Sequence, residues 1–457
     1  MKIGARPRSI VETQRRVADG LSPSAVVEHC LQRIAEDNAV INAFILTDAE
    51  AARRAACQAD KEIKSGYVRS PLHGVPVAIK DMIDVEGWPT TAGSRVFNGS
   101  VANADAVCVA NLKAAGAIII GKTNLHELTV GGHANPWFGK VRNPLDSSRG
   151  TGGTSSGSAA AVAAGFCFAA VGTDAAGSNR SPAAATGLVG FKPTNGLINM
   201  TGARPTAFSL DVIGPITTSV EDARLMTEGM LGRRLTVAID KGRIWQTPNG
   251  AVIARCCNLH GDDVDPAVRQ GIEVWLEKIQ STGVKIVEIP FGGGEEFIEA
   301  GLTILKFEFF REYGALASRH PELIGDPAHA FLGEARRVDR DHFNKAIAVR
   351  EAARREFFVS MHGVDAVMVP TSPGLAPRLS DEFTRVGAEM VSYGLSGGRF
   401  RRWANMFGMP AIALPLQTER ELPASIQLAG LPGHDAGILS LAEALTKAID
   451  DELLHAR

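Results

Sequence analysis

Lys80 closes the segment Gly74-Val75-Pro76-Val77-Ala78-Ile79-Lys80-Asp81, which is apolar enough to form a buried strand. A lysine at the end of such a strand loses its water, which lowers its pKa from about 10.4 and lets the neutral amine act as a base. The alternative is a lysine that snorkels to solvent or pairs with Asp81. Further on, Gly152-Gly153-Thr154-Ser155-Ser156-Gly157-Ser158 puts flexible backbone and several hydroxyls ahead of a helix-forming run, so its amides can face an anion or an oxyanion. An ordinary glycine-serine helix entry has the same composition. A third segment, Gly172-Thr173-Asp174-Ala175-Ala176-Gly177-Ser178-Asn179-Arg180-Ser181-Pro182, leaves the apolar run Phe166 to Val171 by a tight turn. A serine after Ala-Gly at a strand end, here Ser178, can stand exposed as a nucleophile among backbone amides.

Other chemistries fit less well. The glycine-serine segment lacks the G-x-x-x-x-G-K-[S/T] pattern of a phosphate loop and the G-x-G-x-x-G spacing of a dinucleotide fold. Arg180 stands where a G-x-S-x-G elbow needs its second glycine, and no S-x-x-K pair occurs. His126-Glu127 and His133 fall short of a zinc helix because position 130 is Val130. The cysteines (Cys30, Cys57, Cys108, Cys167, Cys256, Cys257) contain no C-x-x-C pair, which disfavours a disulfide scaffold or a structural zinc site. The chemistry so read needs no metal and no cofactor.

These residues must be held by larger elements. Ser22-Pro23-Ser24 heads an amphipathic helix, and Ala49 to Ser65 reads as a second. From Gly74 short apolar runs alternate with helical stretches: the strand Val75 to Ile79, the helix Ala106 to Ala115, the strand Ala117 to Ile120. The alternation continues with strands at Leu235 to Ile239, Val284 to Ile289 and Ala366 to Val369, and helices at Asp265 to Ser281, Glu295 to Tyr313, Asp341 to Met361 and Ala436 to Ile449. It predicts an α/β fold with a largely parallel, buried sheet covered by helices. The 457 residues carry 48 Lys and Arg against 50 Asp and Glu, a net charge of −2 with no long basic block. Nucleic acid and anionic membrane are therefore disfavoured as partners. The apolar stretch Ala159 to Gly172 falls short of the roughly 20 residues that span a bilayer, and no secretory signal is visible, so the default compartment is the cytoplasm.

Taken together the segments resemble the amidase signature family over nearly the whole chain, in the family's order. Gly-Val-Pro-Val-Ala-Ile-Lys80-Asp looks like its catalytic-lysine strand. Gly121-Lys122-Thr123-Asn124-Leu125-His126-Glu127-Leu128, Arg142-Asn143-Pro144, the glycine-serine loop, the nucleophile turn and Gly187-Leu188-Val189-Gly190-Phe191-Lys192-Pro193-Thr194 follow. Ser209-Leu210-Asp211-Val212-Ile213-Gly214-Pro215, Val369-Pro370-Thr371-Ser372-Pro373, Met409-Pro410-Ala411-Ile412 and Leu422-Pro423-Ala424-Ser425-Ile426-Gln427-Leu428 complete the set. The ordered set is far more specific than any one of its members.

The resemblance implies one large α/β domain over residues 1–457 around a mixed central sheet flanked by helices: a helical lead-in at 1–65, a catalytic core at about 70–220 and the rest of the fold at 221–457. It implies a Ser–cis-Ser–Lys triad with Lys80 as base and Ser178 as nucleophile. The relay position, 24 residues before Ser178, holds Thr154 where the family has serine. A threonine keeps the hydroxyl but adds a β-branch, and adjacent Ser155 is the reserve relay or support. The oxyanion donors implied are the backbone N–H groups of Ala175, Ala176 and Gly177, with Ala176 standing where the family usually has glycine.

For substrate, the resemblance implies a small-molecule amide or carbamate, cleaved by a stand-alone amidase or urethanase of the aryl acylamidase kind. Gly131, Arg204 and Phe208 are the candidate substrate contacts, with Trp137 and Phe138 as lining aromatics. Plain packing is the alternative for the aromatics, and a solvated loop charge for Arg204. Two other readings stand beside this one: the amidase component of a glutamine-dependent tRNA amidotransferase, and a catalytically dead binding relative. A homodimer is compatible with the resemblance and is not argued by any residue.

Overall fold

A computed structural model describes residues 9–130, 134–235, 242–256, 263–290, 294–381, 383–386, 389–392, 397–416, 418 and 422–455. Eleven strands form one continuous sheet. In chain order they are β1 (Phe44–Thr47), β2 (Pro76–Lys80), β3 (Ile118–Thr123), β4 (Ala169–Asp174), β5 (Val189–Lys192), β6 (Val212–Thr217), β7 (Val252–Cys256), β8 (Lys285–Ile289), β9 (Ala366–Pro370), β10 (Ala411–Leu416) and β11 (Ala424–Ala429). Their spatial order is β1-β3-β2-β4-β6-β5-β10-β11-β9-β7-β8.

The alternation of strands and helices holds toward the two flanks and fails in the middle. β3, β2 and β4 run parallel, as do β9, β7 and β8. The remaining neighbours, including β4-β6-β5-β10-β11-β9, are antiparallel, so the sheet is mixed rather than largely parallel. The reason is local: β10 and β11 follow one another without an intervening helix, and a direct return can only pair antiparallel. Strands β2, β3, β4 and β9 are buried at every position, as expected where helices cover both faces.

The helices arise where periodicity and caps predict them. Ser22 accepts from Ala25 N–H at the head of the helix Pro23–Ile41, and Asp48 accepts from Ala51 N–H at the head of Ala49–Lys64. The stretch from Ala159 to Gly172 divides between the helix Ser156–Ala163, which starts inside the glycine-serine segment, and β4. The helices Pro266–Ser281, Gly294–Arg319, Arg340–Ser360 and Asp435–His455 cover their expected positions. The expected strand at Leu235 to Ile239 lies, beyond Leu235, outside the described residues. One hydrophobic cluster gathers the first half of the chain around β2, β3 and β4, and a second gathers β5 and β7 to β11. The C-terminal ends of β2 and β4 meet between them and carry Lys80 and Asp174.

Candidate active site

Lys80 ends β2 with no solvent exposure, and its Nζ donates to Thr154 Oγ1 at 2.9 Å and Thr173 Oγ1 at 2.8 Å. It does not pair with Asp81. Successive residues of a strand face opposite ways, and Asp81 meets Lys122 Nζ at 2.8 Å instead. Loss of water pushes the Lys80 pKa down to about 7, while the carboxylates of Asp211 and Asp174 pull it partly back. Asp211 is buried, accepts from Thr206 N–H at 2.6 Å and Ala207 N–H at 2.9 Å, and is raised to about 7 by desolvation. With Nζ neutral, the 2.9 Å contact can also run from the Thr154 hydroxyl to the amine.

Thr154 reaches Lys80 from the glycine-serine loop, across a cis Gly153–Thr154 peptide. His126 N–H donates to Thr154 O at 3.3 Å, and a Cβ on Gly153 would run into the His126 ring, so this glycine permits a close approach. The reserve residue, Ser155, faces elsewhere. Its Oγ lies 3.2 Å from Thr173 O and 3.3 Å from Asn179 Oδ1, and its N–H donates to Ser178 O at 3.3 Å, tying the loop to the nucleophile turn.

Ser178 is half-buried between β4 and the short helix Arg180–Thr186. The turn around it is held by Asp174 and Arg180, both fully buried. Asp174 accepts from Arg180 Nη2 at 2.9 Å and Nε at 3.0 Å, from Gly177 N–H at 2.7 Å, from Asn179 N–H at 3.2 Å and from Asn405 Nδ2 at 3.0 Å. Arg180 also donates to Arg401 O, Gln427 Oε1 and Asn405 Oδ1 at 2.9, 2.7 and 2.7 Å. This paired guanidinium, with Lys192 beyond it, holds the Asp174 carboxyl well below the usual range against the cost of burial. The residue that breaks the hydrolase-elbow pattern is thus the one that ties the turn to two distant segments.

This network corrects one expected oxyanion donor. Gly177 N–H donates to Asp174 Oδ1 at 2.7 Å and is therefore already engaged. Gly177 instead serves by shape. Its φ is +108°, and a Cβ there would collide with the Arg401 side chain. Sequence reasoning missed Thr173, Asp174, Asp211 and Asn405 as parts of this site. Thr173, Asp174 and Asp211 had a usable signal, since they fall in the quoted segments Gly172 to Pro182 and Ser209 to Pro215.

The described substrate-contact candidates are placed as follows. Gly131 and His133 lie outside the described residues. Arg204 is engaged by the scaffold: Nε donates to Thr90 O at 3.2 Å, Nη2 to Ser100 Oγ at 2.8 Å, and the guanidinium lies 3.9 Å over the Phe97 ring. These contacts brace the side chain against the Thr90–Ser100 segment. Phe208 is 67% exposed. Trp137 donates from Nε1 to Glu127 at 2.7 Å and carries Arg95 over its ring, while the Phe138 carbonyl accepts from Asn42. Glu127, which belongs to the incomplete zinc pattern, is buried and also accepts from Ser94 Oγ and Gly325 N–H. Among the described residues no helix is long and apolar enough to cross a membrane.

Comparison with known proteins bears on the family and the fold. The family model described as Amidase matches residues 25–439. The chain is 33% identical to a glutamyl-tRNA(Gln) amidotransferase component from Symbiobacterium thermophilum, over 94% of each chain. It superposes on a solved amidase structure with a TM-score of 0.90 at 32% identity, covering 96% of this chain and 99% of that one. It superposes on the corresponding glutamyl-tRNA(Gln) amidotransferase component from Thermotoga maritima with a TM-score of 0.75 at 28% identity, covering 96% and 94%. With a matching family model over most of its length and the same fold, the chain belongs to the amidase signature family, hydrolases that act on carbon–nitrogen bonds.

Proposed function

We propose that the protein is a stand-alone serine amidohydrolase in which Lys80, Thr154 and Ser178 form the reacting triad. The observation that carries this reading is the 2.9 Å contact between fully buried Lys80 and Thr154, in a loop bonded to the Ser178 turn. Neutral Lys80 takes the Thr154 hydroxyl proton as Thr154 takes that of Ser178, and Ser178 Oγ attacks the substrate carbonyl carbon. The N–H groups of Ala175, Ala176 and Ser178 hold the resulting oxyanion. Collapse expels the amine, which receives the proton back from Lys80 through Thr154, and water then cleaves the acyl- or carbamoyl-enzyme. No step in this route calls on a metal or cofactor.

The stand-alone reading is supported by shape, since the superposition on the solved amidase is closer than that on the Thermotoga protein. The amidotransferase component is the second reading, favoured by the 33% identity to the Symbiobacterium protein. Amine release from an aryl amide and a matched aryl carbamate, by the purified chain and by Ser178→Ala, separates the two. Turnover by the chain alone that vanishes in the variant supports a stand-alone hydrolase, and the carbamate-to-amide ratio sets its place between urethanase and amidase. Turnover that appears only with added partner proteins would support the amidotransferase instead.

A further inference from the structure

The helix Gly398–Met406 starts beside the nucleophile turn and carries two consecutive arginines. Arg401 lies along Gly177, and its Nη1 donates to Thr371 O at 2.7 Å and Ser372 Oγ at 2.8 Å. Arg402 is only 7% exposed. A Cβ on Gly301 would sit 2.7 Å from its Cδ, and one on Gly398 would sit 2.9 Å from its Nη2. The side chain therefore folds back toward the first turn of its own helix, through space that two glycines leave open. The Arg401 guanidinium does the same against Gly397.

Arg402 differs from the fully buried Arg180. Arg180 is met by Asp174, Asn405, Gln427 and a carbonyl. Among the described residues the buried Arg402 Nε has no hydrogen-bond partner, and no carboxylate offsets the burial that pushes the pKa down to about 10. A buried guanidinium without a counter-charge is costly, and such a group is retained where an anion arrives to pair with it. The first turn of the helix, where Phe400 N–H turns back to Gly397 O, lies at the positive end of the helix dipole, which favours the same sign of ligand.

We propose that Arg402, with Arg401 and the first turn of Gly398–Met406, forms a subsite for a substrate carboxylate, so that the preferred substrates are small amides or carbamoyl compounds bearing a carboxylate. This rests on Ser178 as the nucleophile, because it is the contact of Arg401 with Gly177 that places the subsite next to the scissile bond. A planar carboxylate matches the flat fork of a guanidinium, and the phosphate arm of the test separates it from a tetrahedral anion.

Equilibrium binding to the Ser178→Ala protein tests the subsite apart from catalysis, with succinamate as the anionic probe and succinamide as its neutral isostere. The expected result is succinamate binding at least ~10-fold tighter, the effect of one charge-assisted hydrogen-bonded contact, with the preference abolished by adding Arg402→Met and partly kept by Arg402→Lys. Arg402→Met should hold or raise Tm, because it removes an uncompensated buried charge. Equal affinity for the two probes, no measurable succinamate binding at millimolar concentration, or a preference that survives Arg402→Met would overturn the proposal. So would a fall in Tm with the preference unchanged, which marks a structural role, or inorganic phosphate binding more tightly than succinamate. If Arg402→Met does not fold, the neutral variant Arg402→Gln takes its place, and a preference that survives it overturns the proposal in the same way. Failure of the Ser178 reading shows separately, as neutral aryl amide turnover that persists in Ser178→Ala.

Discussion

Asp174 and Arg180 stand six residues apart on either side of Ser178 and pair through two contacts of 2.9 and 3.0 Å with no solvent exposure at either side chain. The pair fixes the two ends of the turn that presents the serine. Arg180 then carries the restraint across to Asn405, Gln427 and the backbone of Arg401.

Breaking this pair from one side leaves a charge buried and unmatched. Arg180→Met is expected to cost about 3–5 kcal/mol of stability in denaturant unfolding and to abolish activity with it. The double variant Arg180→Met with Asp174→Leu should recover part of the stability and none of the activity.

Turnover should depend on the charge of Lys80. With its pKa near 7, kcat/KM rises with pH along a limb centred near pH 7 as the amine becomes neutral. Asp211 and Asp174 are the acids whose charge favours the protonated amine. Asp211→Asn should therefore shift the limb to lower pH, and a pH profile of the variant checks the direction.

Lys80→Met should lower kcat/KM by about 10²–10⁴-fold, the usual contribution of a positioned base. The folded pKa of Lys80 lies below its unfolded value of 10.5, so the folded state binds fewer protons between about pH 7 and 10.5 and the wild type gains stability as pH rises through that window. The stability advantage of Lys80→Met over wild type should thus shrink from pH 7 upward, which paired melts across the range will show.

Gly177 offers a test of shape. Gly177→Ala puts a Cβ at φ +108° against Arg401 and should cost at least about 1 kcal/mol, with a larger proportional loss in kcat because the adjacent serine moves. A melt and a rate measured on the same preparation distinguish the two effects.

Much of the site was legible because its key residues are chemically unusual where they stand. A lysine closing an apolar strand, a glycine-serine loop and a serine in a tight turn each carry a local signal, and strand and helix positions followed from periodicity. What was not legible came from pairing at long range. Asn405 and Gln427 meet Arg180 from 225 and 247 residues away, and even the quoted segment that contains Gln427 does not say which residue it pairs with. Arg180 itself was read only as a missing glycine. Arg401 and Arg402 carry no local mark of burial, since their helix is rich in charge, yet both are buried. The antiparallel centre of the sheet was hidden for a related reason: alternating strands and helices suggest parallel crossovers, whereas β5 to β6 and β10 to β11 return directly and pair antiparallel. Arg204 looked like a free loop cation because its partners, Thr90, Phe97 and Ser100, precede it by about a hundred residues.

The most direct measurement is the intact mass and peptide map of the protein after reaction with a fluorophosphonate, for wild type and Lys80→Met side by side. The mechanism predicts one adduct per chain in the wild type, located on Ser178, and labelling slowed by orders of magnitude in Lys80→Met. An adduct on another residue, or Ser178 labelling at equal rates in both proteins, would contradict it.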